Sequence, residues 1–412
     1  MKGVRQMTAS SNNAPLTGYR VLDFSQLIAG PSAGVMLADL GAEVIKIERP
    51  TGELGRTVGP EIGVPATFAA YNRGKRALAV DMTTPEGREV ISRLIAISDV
   101  LIQNFRPGVM ERLGFGYDDL HAAHPGLVYA SLSAYNADGP GRHRPGTDAV
   151  LQAESGLMAV TGPEDGDPYK VGTQVVDAAT GLALGQAILA ALLQRSSTGV
   201  GAHVQMSLFE VGTYLQSSGY AIASRFGNEL ERPGNTAGAL GAPTDLFRVA
   251  DGFLMVVAYF PDQWSRLCTL LGVPELCDDP RFITNADRIA HKEELKQALA
   301  PIFAPRGRDE WASILAEAGI IAAPVRSHLE VVTDPALRAL GDFARVDNDM
   351  TEPHWLPSTP YRSSTWTRVA SYRPPALGED TLALLNELGF TEIEADVLRK
   401  RGIIYSPDEV RV

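Results

Sequence analysis

Residues 19–48 read YRVLDFSQLIAGPSAGVMLADLGAEVIKIE, and this stretch decides the fold of the N-terminal half. Residues 19–24 and 43–48 are short runs rich in apolar and β-branched side chains, which predicts two strands. Between them Gly30-Pro31 breaks the chain, and residues 32–40 predict a helix that ends before a glycine. Strand, helix and strand in this order are typical of a parallel βαβ unit.

The same alternation continues along the chain. Further strands are predicted at residues 77–80, 100–103, 127–131 and 202–208. Thr84-Pro85-Glu86 predicts the start of a helix that runs to about Ile97, with Thr84 as N-cap and Pro85 at the first helical position. An Ala- and Leu-rich stretch from Asp177 to Gln194 predicts a long buried helix. The fold class is therefore α/β, with an open, Rossmann-like parallel sheet and helices on both faces.

The amino-acid composition changes near Phe226, which indicates a boundary between two domains. Many turn formers occupy residues 227–243, and a hairpin is predicted at residues 246–259 around Ala250-Asp251-Gly252. Helices are predicted at residues 263–271, 292–303, 308–318 and 380–388. We predict a disordered leader at residues 1–15, a large α/β domain at 16–225, a smaller α+β domain at 226–330, and a C-terminal segment at 331–412 that returns to the large domain.

Composition limits the classes of partner. The 412 residues, 45% of them hydrophobic, suffice for two globular domains. A net charge of −12 leaves no surplus of Lys and Arg to neutralise nucleic-acid phosphates. The N-terminal residues contain no signal peptide, and the apolar residues 181–193 are too few to span a bilayer. We therefore expect a soluble, cytoplasmic protein with no nucleic-acid and no membrane partner.

Familiar catalytic motifs are absent from the sequence. The seven histidines have no metal-ligand spacing, the two cysteines fit no zinc or redox motif, and there is no Gly-x-Ser-x-Gly elbow. The loop after the first strand lacks Gly-x-Gly-x-x-Gly, and Pro31 removes an amide that could face a phosphate. Glu48 imitates the acid that holds a ribose, but Arg49 follows it directly. A nicotinamide enzyme thus stays an alternative, and neither a metal nor a permanently bound cofactor is predicted.

Two clusters place cations after predicted strands. Asn104, Phe105 and Arg106 follow residues 100–103, with Arg112 shortly after. An amide, a flat aromatic ring and two guanidiniums suit an adenine and its phosphates, although solvated arginines and a packed phenylalanine would look the same. The basic, Gly- and Pro-rich residues 139–148 form either a turn or a ligand-binding rim.

Asp177 has two interpretations. An Asp at the start of an Ala-rich helix is ordinarily an N-cap. The same position also suits a nucleophilic carboxylate, because the helix dipole keeps it ionised and the small residues Ala178, Ala179 and Gly181 leave room for a bulky thioester. The cap explains the Asp but not the small residues around it.

Together these blocks resemble CoA-transferase family III, which includes formyl-CoA, oxalate and carnitine CoA-transferases and the α-methylacyl-CoA racemases. The resemblance extends from about Leu16 to the C-terminus. It rests on residues 21–24 with 29–31, residues 40–49, Asn72 with Lys75-Arg76, residues 104–108, 144–148, 247–252 and 377–381.

The resemblance implies Asp177 as the catalytic residue and CoA thioesters and small carboxylic acids as substrates. It implies CoA contacts at Ile28, Ala29, Arg49, Asn104, Phe105, Arg106, Arg112, Arg144, Pro145, Gly146 and Thr147, with Asp148 in the same loop. It also implies an interlocked homodimer, in which the active site lies between the large domain of one subunit and the small domain of its partner.

Two departures from the family pattern favour one activity. The racemase branch has a His where this chain has Thr147, so a two-base exchange would lack one partner. The formyl-CoA branch has a Gln where this chain has Ile28, and more glycines than Gly238-Ala239-Leu240-Gly241. We predict a CoA-transferase for an acid less polar or larger than oxalate and formate. A 2-methylacyl-CoA racemase and a non-catalytic acyl-CoA-binding protein are the alternatives.

Overall fold

A computed structural model describes residues 14–58, 65–236, 238, 241–348, 351–367 and 373–407. All but the last two residues of the predicted leader, 1–15, lie outside these ranges, as do Ala239 and Leu240 of the predicted small-domain loop. The chain forms two compact units. Unit 1 consists of residues 1–155, 173–215 and 335–412, and unit 2 of residues 156–172 and 216–334.

The strands are β1 (Arg20–Asp23), β2 (Glu43–Glu48), β3 (Arg76–Val80), β4 (Val100–Gln103), β5 (Val128–Ser133), β6 (His203–Ser207), β7 (Thr244–Val249), β8 (Gly252–Val257), β9 (Ile321–Pro324), β10 (Phe343–Asn348), β11 (Thr351–Pro357) and β12 (Ile404–Tyr405). The helices are α1 (Ala29–Asp39), α2 (Ala66–Asn72), α3 (Pro85–Ile95), α4 (Val109–Leu113), α5 (Tyr117–Ala123), α6 (Asp148–Glu154), α7 (Val175–Thr198), α8 (Leu208–Tyr214), α9 (Ser217–Phe226), α10 (Pro261–Leu271), α11 (Asn285–Ala290), α12 (Lys292–Phe303), α13 (Arg308–Glu317), α14 (His328–Thr333), α15 (Pro335–Ala339), α16 (Thr381–Glu387) and α17 (Glu392–Lys400).

Unit 1 is built on a seven-stranded sheet in the order β12-β3-β2-β1-β4-β5-β6. Strands β1 to β6 run parallel, and β12 pairs antiparallel with β3 at the edge. The six parallel strands have the doubly wound order 3-2-1-4-5-6, in which the winding reverses between β1 and β4. The predicted α/β class with a large, mostly parallel sheet is confirmed.

The two faces of this sheet differ in chemistry. Leu22, Ile45 and Leu78 are fully buried and pack in one apolar core with residues of α3, α16 and α17. Because side chains alternate along a strand, Asp23 and Lys46 point to the opposite face. Helix α1 packs against β1 and β2 and also against α7. The face of the sheet that α1 covers therefore contains the buried charged side chains of Asp23 and Lys46.

Glycines let α7 approach α1 closely. A Cβ at Gly181 would stand 1.7 Å from the Ser32 Oγ and 2.8 Å from the Ala29 carbonyl oxygen. One turn later, a Cβ at Gly185 would meet only the Met36 side chain, at 3.1 Å. Residue numbers increase in the same direction along both helices at this contact, so the two helices run parallel. The N-termini of α1 and α7 therefore lie at the same end of the sheet.

Unit 2 contains the antiparallel sheet β7-β8-β9, with helices packed on it. The predicted hairpin is confirmed, with its turn at Ala250 and Asp251. Its core consists of buried apolar side chains that include Phe247, Trp264 and Phe303. Residues 156–172 belong to this unit, whereas the sequence placed residues 16–225 in a single domain.

Three sequence expectations differ from the structure. Gly30-Pro31 does not break the chain but lies in the first turn of α1, where a proline removes no helical hydrogen bond. The C-terminal α17 and β12 were not predicted. Helix α7 is 24 residues long, against a prediction of 18, and is long and apolar enough to cross a membrane by length and composition. Helix α7 packs along α1, and 44% of its most apolar window is buried; the core helix of a soluble protein passes the same test.

We predict that Gly181→Ala lowers the free energy of unfolding by about 1–3 kcal/mol, because the added methyl group overpacks the α1 contact. Gly185→Ala is the matched control. Its methyl group meets a flexible Met36, and replacing glycine inside a helix gains up to about 1 kcal/mol. Denaturant unfolding of both variants checks this. A Gly181→Ala protein at least as stable as Gly185→Ala would show that the helices are not in close contact there.

Candidate active site

The loops at one edge of the large sheet surround the N-terminus of α7. In a doubly wound sheet, ligands bind beyond the carboxyl ends of the strands where the winding reverses, here between β1 and β4. Helix α1 begins directly after the loop that follows β1. Asp177 precedes Gly181 by one helical turn, which is about 6 Å along the axis. Asp177 therefore lies at the same edge as the β1–α1 loop.

Asp177 does not cap its own helix. The N-cap is Gln174, which makes no side-chain cap, so the N-cap interpretation of Asp177 is wrong. The first amides of α7 are capped instead by Asp148, the first residue of α6. Its Oδ2 accepts hydrogen bonds from the backbone N–H groups of Val176 at 2.8 Å and Asp177 at 3.0 Å, and its Oδ1 accepts one from Gln152. Within the described ranges, no group donates a hydrogen bond to the Asp177 carboxylate.

Burial and charge make the Asp177 carboxylate unusually basic. Partial burial raises its pKa to about 6, and the negative charge of Asp148 contributes to the same shift. The pKa of the Tyr71 phenol is raised too, by burial and then by the charges of Asp177 and Asp148, so this phenol lies within electrostatic range of both carboxylates. At pH 7 the carboxylate of Asp177 is mostly ionised. It is poorly solvated and accepts no hydrogen bond from the described residues.

The surroundings of Asp177 leave it accessible. Its side chain is partly buried rather than sealed, and the next residue, Ala178, is exposed. Ala178 and Ala179 carry no side-chain atoms beyond Cβ. An electrophile as bulky as a thioester can therefore approach this carboxylate from solvent.

The β1–α1 loop is held in a strained conformation. Leu27 has φ 67°, a left-handed conformation that is rare for a leucine, and its N–H donates to Glu53 Oε2 at 2.9 Å. Gln26, the residue before Leu27, forms two hydrogen bonds with the Asn104 side chain. The Asn104 Oδ1 accepts from the Gln26 N–H at 2.8 Å, and the Asn104 Nδ2 donates to the Gln26 carbonyl at 2.9 Å. The buried Ile28 and Ala29 follow directly.

Two buried ion pairs lie next to this loop. Lys46 forms an ion pair with Glu53 at 3.1 Å, and Lys75 forms one with Asp23 at 2.7 Å; all four side chains are at most 2% exposed. Burial lowers the pKa of Lys75 to about 8, against the opposing charge of Asp23. Lys75 also donates to the backbone carbonyl of Tyr71 at 2.8 Å. The network thus connects the β1–α1 loop to the backbone of Tyr71.

The arginines predicted from the sequence lie at the surface. Arg106 and Arg112 are exposed and form no ion pair within the described part of the chain. Arg49 is exposed, and its Nε donates to the Gly52 carbonyl at 2.9 Å. Phe105 is partly buried against the apolar core of the sheet. These residues follow β2 and β4, so they share the sheet edge with Asp177, and their role in CoA binding stays a prediction.

Arg144 already has partners. Its guanidinium forms two hydrogen bonds with the carboxylate of Glu154, at 2.6 and 2.7 Å, and lies 4.5 Å from the centre of the Tyr135 ring. Contact with a phosphate would therefore compete with a bidentate ion pair. Pro145, next to it, is exposed.

The rest of this loop positions α6. A Cβ at Gly146 would stand 2.7 Å from both Ala134 and Leu151, so only glycine fits there. Thr147 is exposed and is the N-cap of α6, without a side-chain cap. Asp148 is buried, at 7% exposure. The sequence grouped Asp148 with the CoA-contacting loop and missed its contact with α7, and it missed Tyr71 altogether. The Thr-Asp pair before a helix was a signal, but its partner lies 28 residues away.

Within the described residues, no group of three or more His, Cys, Asp and Glu side chains is arranged to hold a metal ion. The chemistry available at this edge is therefore that of one accessible carboxylate, with a buried carboxylate and a phenol beside it. An accessible, poorly solvated carboxylate suits nucleophilic attack on an acyl carbon.

Comparisons with known proteins identify the family of the chain. The CoA-transferase family III profile matches residues 16–381. A probable fatty acyl-CoA transferase of Mycobacterium tuberculosis is 37% identical over 392 residues, which cover 92% of this chain and 99% of the relative. The succinyl-CoA:glutarate CoA-transferase of Mus musculus is 35% identical, over 95% of this chain and 90% of the relative.

A solved structure has the same fold. The crystal structure of a CAIB/BAIF family protein from Brucella suis matches with a TM-score of 0.84 and 35% sequence identity, over 92% of this chain and 100% of that one. The resemblance seen in the sequence motifs is thereby confirmed. The chain belongs to CoA-transferase family III.

Proposed function

We propose that the chain transfers CoA from an acyl-CoA thioester to a carboxylic acid, with the Asp177 carboxylate as nucleophile. One observation carries the proposal: the Asp177 carboxylate is accessible and accepts no hydrogen bond from the described residues, because Asp148 caps α7 in its place. The family membership supports CoA thioesters as substrates, and no permanently bound cofactor takes part.

The proposed reaction has four steps. An Asp177 oxygen attacks the donor thioester carbonyl, which breaks the C–S bond and gives a mixed anhydride and CoA thiolate. The thiolate attacks the Asp177 carbonyl carbon, which releases the donor acid and leaves an aspartyl thioester. The acceptor carboxylate then attacks the carbonyl carbon of that thioester, which breaks the C–S bond, releases CoA thiolate and forms a second anhydride. Finally, the thiolate attacks the acceptor acyl carbon and frees Asp177. The energy of the thioester is conserved because water does not take part.

Substrate binding follows the predicted sites. We infer that CoA lies along the sheet edge, with contacts from Ile28, Ala29, Arg49 and the 104–106 loop. The names of the relatives differ in their acids: those reported above mention fatty acyl-CoA, succinyl-CoA and glutarate, and another, 33% identical, is an acetyl-CoA:oxalate CoA-transferase. We infer an acid larger or less polar than oxalate and formate from Ile28, which leaves a buried apolar surface at the β1–α1 loop.

The alternatives have less support. Thr147 cannot carry the second proton that a racemase needs, and the relatives reported above are named as transferases. A non-catalytic binding protein has no need of a carboxylate with a pKa raised to about 6.

The chain's two cysteines are both free, which is consistent with the reducing cytoplasm in which we place the enzyme.

Exposed apolar side chains support a homodimer. Leu182 and Leu193 on α7 are 51% and 74% exposed, and Tyr214 on α8 is 80% exposed. We infer that a second copy covers them, as the family resemblance implies. Light scattering after size exclusion should give a mass near twice 44.1 kDa at micromolar concentration. A single-chain mass would contradict this inference but not the role of Asp177.

We predict that Asp177→Asn abolishes transfer, by at least about 10³-fold in kcat, because an amide oxygen is a poor nucleophile. The measurement is transfer of CoA between acyl-CoA and acid pairs, together with mass spectrometry of a peptide that contains residue 177. The unaltered enzyme should show a CoA adduct on Asp177 when donor alone is supplied, and the variant should show none.

Two results would overturn the Asp177 route. One is an Asp177→Asn enzyme that still transfers CoA. The other is exchange of the substrate α-proton with deuterated water in the absence of an acceptor acid, which a racemase would catalyse. CoA binding by the variant, measured by calorimetry, is the control that its site remains folded.

The acid limb of the pH profile should report Asp177. Because its pKa is raised to about 6 and the nucleophile must be ionised, kcat/KM should fall as the pH drops through about 6. Asp148→Asn removes a negative charge beside Asp177, so the limb should move to lower pH. Glu154→Gln on the same helix, whose carboxylate pairs with Arg144, is the matched control and should leave the position of the limb in place. An unshifted limb in Asp148→Asn would contradict the proposed charge coupling.

A further inference from the structure

The β1–α1 loop lies level with Asp177. Helices α1 and α7 run parallel, and Gly181 of α7 meets Ala29 and Ser32 in the first turn of α1. The loop residues directly before Ala29 are therefore level with the turn of α7 that precedes Gly181 and contains Asp177. The conformation of this loop consequently shapes the space in which a ligand meets the Asp177 carboxylate.

Leu27 in this loop has a backbone conformation that a leucine ordinarily avoids. Among the described residues, Leu27 alone combines a side chain with a positive φ, at 67°. Crowding of its Cβ makes a left-handed conformation about five- to thirtyfold less populated than a right-handed one. The side chain gains little burial in return, since it is 41% exposed. The conformation is therefore imposed by bonds to the loop backbone.

Glu53 makes the bond to Leu27 itself. Its Oε2 accepts from the Leu27 N–H at 2.9 Å, and its Oε1 lies 3.1 Å from the Lys46 ammonium. Lys46 in turn donates to the Ser25 carbonyl, so this ion pair is bonded to the loop on both sides of Gln26. The Glu53 and Lys46 side chains are 2% and 0% exposed, so water does not readily replace either contact.

Both carboxylate oxygens of Glu53 are in use, which determines the effect of a neutral side chain. Glu53→Gln keeps the size of the side chain but offers one acceptor oxygen and one NH₂ group. The buried Lys46 ammonium takes that oxygen, because a buried charge needs an acceptor. The NH₂ group then faces the Leu27 N–H, donor against donor, and Leu27 is free to return to a negative φ.

We propose that Glu53 is a positioning residue for the CoA thioester: by holding Leu27 left-handed, it keeps the β1–α1 loop in the conformation that binds the ligand. The inference rests on the proposed function, in which the thioester lies beside Asp177 with contacts from Ile28 and Ala29. When only a fraction of the molecules has the competent loop, the apparent Kd rises by the inverse of that fraction. Loss of the Glu53 bond should therefore weaken binding without changing the chemistry at Asp177.

The test measures the Kd of CoA by calorimetry and the kcat and KM of transfer, all with the full-length chain. Glu53→Gln should raise Kd and KM about five- to thirtyfold and leave kcat within about twofold. Leu27→Gly should remove this dependence, because glycine adopts positive and negative φ about equally. In the Leu27→Gly background, Glu53→Gln should raise Kd no more than about twofold. A purely structural role of Glu53 gives the same loss in both backgrounds.

Two matched controls separate the backbone from the side chains. Leu27→Ala also removes the leucine side chain but keeps the Cβ that disfavours a left-handed conformation. In its background Glu53→Gln should still raise Kd about five- to thirtyfold. Glu43→Gln removes a carboxylate that pairs with Arg20 and Arg76 at the other end of β2 from this loop, and it should leave Kd unchanged.

A second variant covers the case in which Glu53→Gln does not fold, as judged by circular dichroism. Glu53→Asp keeps a charge beside Lys46 but is one methylene too short to reach Leu27 as well. It should raise Kd about two- to tenfold through loss of that hydrogen bond. Leu27→Gly should again remove the difference.

The inference is overturned if the Glu53 variants bind CoA as the unaltered chain does. It is also overturned if their loss of affinity persists in the Leu27→Gly background, or if Leu27→Ala restores affinity as well as Leu27→Gly does. An Asp177→Asn enzyme that still transfers CoA would refute the Asp177 route and leave the effect of Glu53 on Kd in place. The two proposals therefore fail separately.

Discussion

The hydrogen bonds from the α7 amides to Asp148 are the interaction on which the candidate site depends. Helix α7 begins with free N–H groups that need an acceptor, and the carboxylate of another helix, α6, provides it at 2.8 and 3.0 Å. The N-cap residue, Gln174, makes no side-chain cap, and Asp177 in the first turn has no capping role. The Asp148 charge also contributes to the raised pKa of Asp177, so the residue that caps α7 makes the proposed nucleophile more basic.

Two further constraints fix where that carboxylate lies. Gly181 allows α7 to approach the first turn of α1, which places the two helix N-termini at one end of the sheet. The strand order reverses between β1 and β4 at the same edge, and Asn104 joins the two loops there through the backbone of Gln26. The left-handed Leu27 indicates that this loop is held against its own preference by Glu53. Rigidity of this kind suits a site that must hold a thioester in line with one carboxylate.

Charge is distributed unevenly between buried and exposed positions. The large sheet buries Lys46, Glu53, Lys75 and Asp23 as two ion pairs, which is costly unless every partner stays in place. The arginines expected to meet the CoA phosphates lie at the surface instead, where a mobile guanidinium can follow a ligand.

The sequence by itself determined the βαβ pattern, most strand positions, the N-cap Thr84 and the family, because these depend on local periodicity, cap chemistry and family motifs. It did not determine that Pro31 lies inside α1, since a proline is equally acceptable as a breaker or in a first turn. Nor could it show the strand β12, whose two residues have no pattern of their own. Only the tertiary structure decided the role of Asp148, the proximity of Tyr71 and the engagement of Arg144 by Glu154. Each of these depends on contacts between elements distant in sequence or on which of several equally suitable partners a side chain meets, and local sequence preferences carry no information about that.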